Sequence, residues 1–139
     1  YSVITLWHVL EHVYNPMETI RNLKEHLIDE GTLILALPNY ESPDAAYYKQ
    51  HWAGFDVPRH LYHFSRKSVN QLCDNLGMKV VEVLPMTYDA YYVSLLSERY
   101  IRPNHFPYLR ALQRGFMSNR QARKSNNYSS LIYVIQAIK

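Results

Sequence analysis

Glycine is scarce. The four present, Gly31, Gly54, Gly77 and Gly115, are each isolated. A loop that wraps a phosphate needs several glycines in close succession so that backbone amides can reach the anion, and neither G-x-G-x-x-G nor G-x-x-x-x-G-K occurs. By itself the chain therefore has no glycine-loop cofactor site. Cysteine is scarcer still. Cys73 alone excludes an internal disulfide or a multi-cysteine zinc cluster, and its place in a helical run makes it a small core residue. No apolar run approaches the roughly 18 residues of a membrane span, and no charged region precedes an apolar stretch at the start, so a soluble, cytoplasmic protein is expected. Charged residues make up 19% and hydrophobic ones 47%, ordinary globular usage that excludes a disordered or low-complexity chain. A length of 139 residues allows one core.

Rings are abundant instead: 13 Tyr, 2 Trp, 4 Phe and 7 His, which makes ring-lined pockets plausible. Charge is uneven. The net value is +3, yet residues 88–127 carry Arg99, Arg102, Arg110, Arg114, Arg120, Arg123 and Lys124 against only Asp89 and Glu98. That segment is +5 and the remainder −2. It reads either as a solvated helical face or as a contact, through residues 99–124, for an anionic ligand or a membrane surface. No dense basic stripe within a recognisable module is present, so no nucleic acid partner is expected.

Val3-Ile4-Thr5-Leu6-Trp7 reads as a buried strand. Asn15 and Pro16 then start a helix as N-cap and first helical residue, with Met17, Ile20, Leu23, Leu27 and Ile28 at helical spacing and an end near Gly31. Residues 32–37 follow as a nearly continuous apolar strand, the pattern of a strand covered on both faces. A strand–helix–strand connection of this length points to an open α/β sheet with a parallel crossover. Residues 40–64 read as an irregular lid or acceptor loop. Ser65 caps a helix closed by Gly77, a strand covers residues 78–84, helices cover 90–100 and 108–116 as a basic insertion, and residues 129–137 form the last strand.

The sharpest local string is His8-Val9-Leu10-Glu11-His12, and it admits three readings. On a helix, His8 and His12 share a face and hold zinc while Glu11 activates water, as in a zinc hydrolase, with Glu82 or Glu98 as third ligand. At the carboxyl end of a parallel strand, Trp7 and His8 border a ligand crevice. In the structural reading, Glu11 and His12 tether the next loop by hydrogen bonds. Downstream, Arg59 can hold a carboxylate or phosphate bidentately, or simply pair with Asp56, while His60 and His63 titrate near neutrality. Tyr47, Tyr48, Tyr91 and Tyr92 form either an aromatic wall or ordinary packing.

Taken together, residues 3–13, Asn15-Pro16, Gly31-Thr32-Leu33 and Leu37-Pro38-Asn39 resemble the second half of a class I S-adenosylmethionine-dependent methyltransferase. There a fourth strand runs into "hvLEHv.dP" and a fifth reads "G-x-L-x-x-x-x-P-N". Residues 52–65 resemble the "W..dpPRHl.hFs" segment of the small-molecule and cell-envelope members. The family's first half, with its Gly-rich loop and ribose-binding acid, has no counterpart here. The resemblance implies an α/β fold, a partial Rossmann-like sheet of order 4-5-7-6 whose last strand is antiparallel; the helical insertion over residues 88–127 is not explained by it. It implies that residues 1–139 are the C-terminal part of a methyltransferase domain, inactive alone, with S-adenosylmethionine as cofactor of the parent. The acceptor would be a small molecule or a lipid- or sugar-linked group. Leu6, Trp7 and His8 would line the cofactor's methionine side, with His8 also the catalytic contact, and Trp52, Arg59, His60 and His63 would bind the acceptor. In quinone-forming relatives an E-x-x-E-H pattern at this position binds a divalent cation; His8, Glu11 and His12 hold the matching places, and no metal is assigned to them. The bare edge of the first strand implies self-association. Two further readings stand beside this one: a non-catalytic module docking an anionic partner through the basic insertion, and the zinc hydrolase.

Overall fold

In the computed structural model, which describes residues 1–103 and 106–138, β1 (Val3–Trp7) pairs in parallel with β2 (Thr32–Pro38), Val3 opposite Thr32 and Trp7 opposite Ala36. Between them lie a 3-10 turn at Leu10–His12 and α1 (Pro16–Glu25). β3 (Met78–Met86) and β4 (Ser130–Ala137) complete one sheet of order β1-β2-β4-β3, with β4 antiparallel to both neighbours. That is the 4-5-7-6 order expected, the last strand between the second and third. The outer edge of β1 has no partner strand among the described residues, and Val3 and Trp7 are half exposed.

Local chemistry explains the elements. Asn15 accepts the amide of Glu18, and Pro16 occupies the first helical turn, where no N–H is missed. α1 ends at Glu25, short of Gly31, because the amide of Ile28 donates to Tyr1 O at 3.0 Å instead of continuing the helical ladder. α3 (Arg66–Asp74) begins with a reciprocal capping box between Ser65 and Ser68. Gly77, at φ +61°, then turns the chain into β3 in a conformation that L side chains rarely adopt. β3 runs past Leu84 to Met86 after a register slip between Val80 and Glu82. Leu33, Leu35 and Leu37 of β2 are buried with Ile20 of α1, Val69 and Cys73 of α3, and Tyr133 and Ile135 of β4, so helices cover one face of the sheet. Ile34 and Val134 on the other face are only half-buried, and β2 is not covered on both faces as expected. Burial pushes the Cys73 thiol up to about 11, as befits an inert core cysteine.

Residues 40–64 are less irregular than expected. Ser42 caps α2 (Pro43–Tyr48), and 3-10 turns follow at Lys49–His51 and Ala53–Phe55. The Ser-Pro start signal outweighs the scatter of rings around it. α4 (Asp89–Ile101) and α5 (Tyr108–Ser125) form an antiparallel pair over one end of the sheet. α5 continues well beyond Phe116, because the small residues Ser118 and Ala122 extend the buried stripe begun by Ala111 and Gly115. A Cβ on Gly115 would lie 2.9 Å from Tyr91 Cα, so the helices approach as closely as backbones allow. No described helix is long and apolar enough to cross a membrane.

Candidate active site

A cavity of about 400 Å³ opens where β1 and β2 end and β4 begins, with α4 as one wall and the 3-10 turn at Ala53–Phe55 as the other. His8, His12, His60, Asp89, Tyr92 and Ser130 all reach it. His8 leaves the strand with φ +52°, its amide still donated to Ala36 O at 3.0 Å, and this turn throws its ring into the cavity.

The His8 ring is held between two carboxylates. Its Nε2 lies 3.2 Å from Asp89 Oδ2 and its Nδ1 3.3 Å from Glu11 Oε1. Hydrogen bonds to Asp89 and then to Glu11 outweigh burial and raise its pKa to about 9, so His8 is an imidazolium at neutral pH. Burial alone would raise the Asp89 carboxyl, but hydrogen bonds from His8 and Ser130 prevail and hold it below the usual carboxylate range.

His60 is different in kind. Its Nδ1 is 2.9 Å from Gly54 O, and a carbonyl only accepts, so Nδ1 carries the proton and Nε2 the lone pair. Burial lowers its pKa, keeping it neutral. Nε2 stands 3.8 Å from Asp56 Oδ2 and 4.0 Å from Glu11 Oε1. His12 is fixed in the same way, Nδ1 at 3.0 Å from Arg59 O, and its ring meets His60 edge-on at 4.6 Å. Glu11 is 1% exposed and its Oε2 has no hydrogen-bond partner. One ligand atom from each of Glu11, His12 and His60 lies within 4.8 Å of the others, a set that could close on a metal ion.

The hydrolase arrangement is not formed. The helical turn spans only Leu10–His12, leaving His8 outside it, committed to Asp89. Glu98 is buried and accepts from the Tyr48 hydroxyl at 3.1 Å, and Glu82 is exposed on β3; neither joins the cluster. The structural reading of Glu11 and His12 does hold: Glu11 O receives the amide of Leu61 at 2.8 Å, tying the turn to the loop.

Of the other residues singled out from sequence, Arg59 lies on the cavity but is paired with Asp56, Nη2 to Oδ1 at 2.6 Å. Trp7 is half exposed at the strand end, and Leu6 packs against the core. Trp52 is 2% exposed and stands behind the wall, its Nε1 donating to Asp44 at 2.8 Å. His63 stacks edge-on against Phe55 outside the cavity lining. Of the four tyrosines only Tyr92 lines the cavity, joined by Tyr100. Asp89 and Ser130 were not anticipated; the sequence offers only the rarity of acids in the basic segment as a hint of the former.

A family model described as a methyltransferase domain matches residues 1–83. No curated protein matches. Among solved structures, the chain is similar to the mitomycin 7-O-methyltransferase MmcR, at 13% identity and a TM-score of 0.57 over 98% of this chain and 29% of that one. It is also similar to phosphoethanolamine N-methyltransferase 2 of Haemonchus contortus in complex with S-adenosyl-L-methionine, at 12% and 0.55 over 100% and 34%. The [4+2]-cyclase SpnF shares the fold as well, at 11% and 0.58 over 100% and 50%. The chain thus spans between under a third and a half of the lengths of these structures. Identities this low speak to fold alone, and a cyclase among them shows that the fold does not dictate the reaction.

Proposed function

The chain belongs to the methyltransferase-domain family whose model covers residues 1–83, and on that premise we propose that it is the C-terminal portion of a class I S-adenosylmethionine-dependent methyltransferase acting on a small-molecule or lipid- or sugar-linked acceptor. Residues 1–139 carry the acceptor side of the site, with residues 40–64 closing it and the basic insertion of residues 88–127 as its roof; alone they are inactive. The observation that carries this reading is the cavity's position at the carboxyl ends of the parallel pair β1–β2, where open α/β sheets bind their ligands.

The residues present fit one end of the cofactor. His8, which lines the cavity, offers a positive charge to its methionine part, with Trp7 half exposed at the strand end and Leu6 packed against the core. Gly54, the one glycine on the cavity, is pressed against the Trp52 ring and cannot serve as a ribose or phosphate loop, which falls to the preceding part of the parent. When bound, the cofactor supplies a sulfonium methyl group. Everything else is positioning and proton removal.

His60 is the proton acceptor. Its neutral Nε2 faces the cavity, and as the acceptor's O–H or N–H loses its proton, the imidazolium formed is stabilised by the Gly54 carbonyl and by Asp56 and Glu11. His8, already protonated and with both N–H groups committed to Asp89 and Glu11, contributes positive charge to the cavity rather than removing a proton. Arg59 and Asp56 border the mouth, Trp52 holds its wall in place, and His63 fixes the loop behind it.

Isothermal titration of S-adenosylmethionine into this chain, beside a version extended N-terminally through the missing strands, tests the reading. Binding by the extended protein alone is expected. No binding by the extended protein overturns the methyltransferase reading, and binding by the short chain overturns its being half a cofactor site.

A further inference from the structure

The side chains of α5 are distributed in reverse of the usual pattern. Its buried positions hold the small residues Ala111, Gly115, Ser118 and Ala122, whereas Leu109, Leu112 and Phe116 are 75%, 60% and 58% exposed. At steps of three and four residues, these three and then Arg120 and Arg123 follow one another along a single outward stripe. The stripe is therefore apolar through its first half and cationic at its end.

No Asp or Glu occurs anywhere in α5, which carries five basic residues. Beside the cationic end lies a groove of about 450 Å³ between α5 and the β3–α4 junction, where Arg120 and Arg123 stand among Tyr88, Tyr91, Phe116 and Tyr128. Neither guanidinium has a carboxylate partner among the described residues. Tyr88 in this groove is 86% exposed, and Phe106, just before the start of α5, is 80% exposed.

We propose that the outer face of α5 docks on an anionic lipid surface, with Leu109, Leu112 and Phe116 entering the acyl boundary and Arg120 and Arg123 holding lipid phosphates at the groove. Charge decides between possible occupants. A second copy of this chain would bring the same five cations against its own, with no acid on the helix to offset them. An anionic bilayer satisfies both halves of the stripe at once, and the two contributions together give the affinity that either lacks alone. The helix lies on such a surface rather than crossing it, consistent with its length and charge. Gly115 seats α5 on Tyr91 of α4, whose Tyr92 and Leu96 line the candidate active site, so docking would bring that cavity close to the lipid. The inference does not depend on the methyl-transfer reading.

Co-sedimentation of the purified 139-residue chain with vesicles of phosphatidylcholine, alone or mixed with phosphatidylglycerol, tests it. Binding to the anionic vesicles only, weakened by salt, is expected. Arg120→Gln with Arg123→Gln should lower affinity about thirtyfold, each near-surface basic residue being worth ~1 kcal/mol. Leu109→Ser with Leu112→Ser should also lower it, while Arg21→Gln with Lys79→Gln, away from the stripe, should leave it unchanged, circular dichroism confirming that all variants fold. The proposal is overturned by failure to bind anionic vesicles, by equal binding to neutral ones, or by an equal loss in the Arg21 and Lys79 control. Competition by soluble glycerol phosphate would mark a free-phosphate site instead. A dimer abolished by the leucine substitutions, without vesicle binding, would mark a protein contact.

Discussion

His8 Nε2 and Asp89 Oδ2 stand 3.2 Å apart, joining the end of β1 to the first residue of α4. This contact closes the basic insertion onto the sheet and sets the charge of the cavity. It also makes the fold sensitive to pH with a defined sign.

The His8 pKa is raised from 6.5 to about 9, so its share of stability is fully present below pH 6.5 and is lost as pH rises through about 9. The Asp89 carboxyl is depressed, so its share is present above the ordinary carboxylate range and is lost as pH falls through its lowered pKa. Asp89→Asn removes the stronger of the two partners and should return the His8 titration toward 6.5, followed by NMR of the imidazole. Urea denaturation between pH 7 and about 9.5 should then show a shallower fall in stability than in the unaltered chain. An unmoved titration would show that the contact does not set the charge.

Asp44 holds the roof together. It is 2% exposed and accepts from Trp52 Nε1 at 2.8 Å and from the hydroxyls of Ser118 and Ser129, each at 2.7 Å. Those donors come from the loop, from α5 and from the entry to β4. Asp44→Ala leaves all three buried without an acceptor and is expected to cost about 3–5 kcal/mol. Ser118→Ala, which removes one donor, should cost only about 1 kcal/mol. Chemical denaturation followed by tryptophan fluorescence separates the two; equal losses would show that the carboxylate does not organise the network.

The distribution of these contacts explains which parts of the molecule could be read from sequence. The start of α1 at Asn15-Pro16, the cap at Ser65 and the existence of β2 are local signals, since a cap or an apolar strand is encoded within a few residues. The place of β4 between β2 and β3 came from resemblance to a family rather than from periodicity, which says nothing of strand order. The continuation of α5 was hidden because Ser118 and Ala122 bury a stripe without being apolar enough to mark one. Within the site, His8 and His60 were legible as residues, but their opposite charge states were not. Those depend on Asp89, which is far from His8 along the chain, and on the carbonyl of Gly54, which no side-chain pattern announces.

That difference in charge state leads to the prediction that most directly tests the chemistry. In the extended protein, His60→Gln retains a ring-sized amide at the cavity but supplies no base. The turnover rate is expected to fall about 10²–10⁴-fold with cofactor affinity unchanged, since proton transfer is removed and the cofactor side untouched. The acid limb of the rate profile, which on the proposed reading follows a histidine whose pKa burial has lowered, should disappear with it. Added imidazole should restore part of the rate to His60→Ala, because the space left beside the Gly54 carbonyl fits the missing ring. His8→Gln should behave otherwise, weakening ligand binding without abolishing that limb, since His8 enters the cavity already protonated. Should the limb survive in His60→Gln and vanish in His8→Gln, the two histidines have exchanged roles, and the proton acceptor sits at the end of β1.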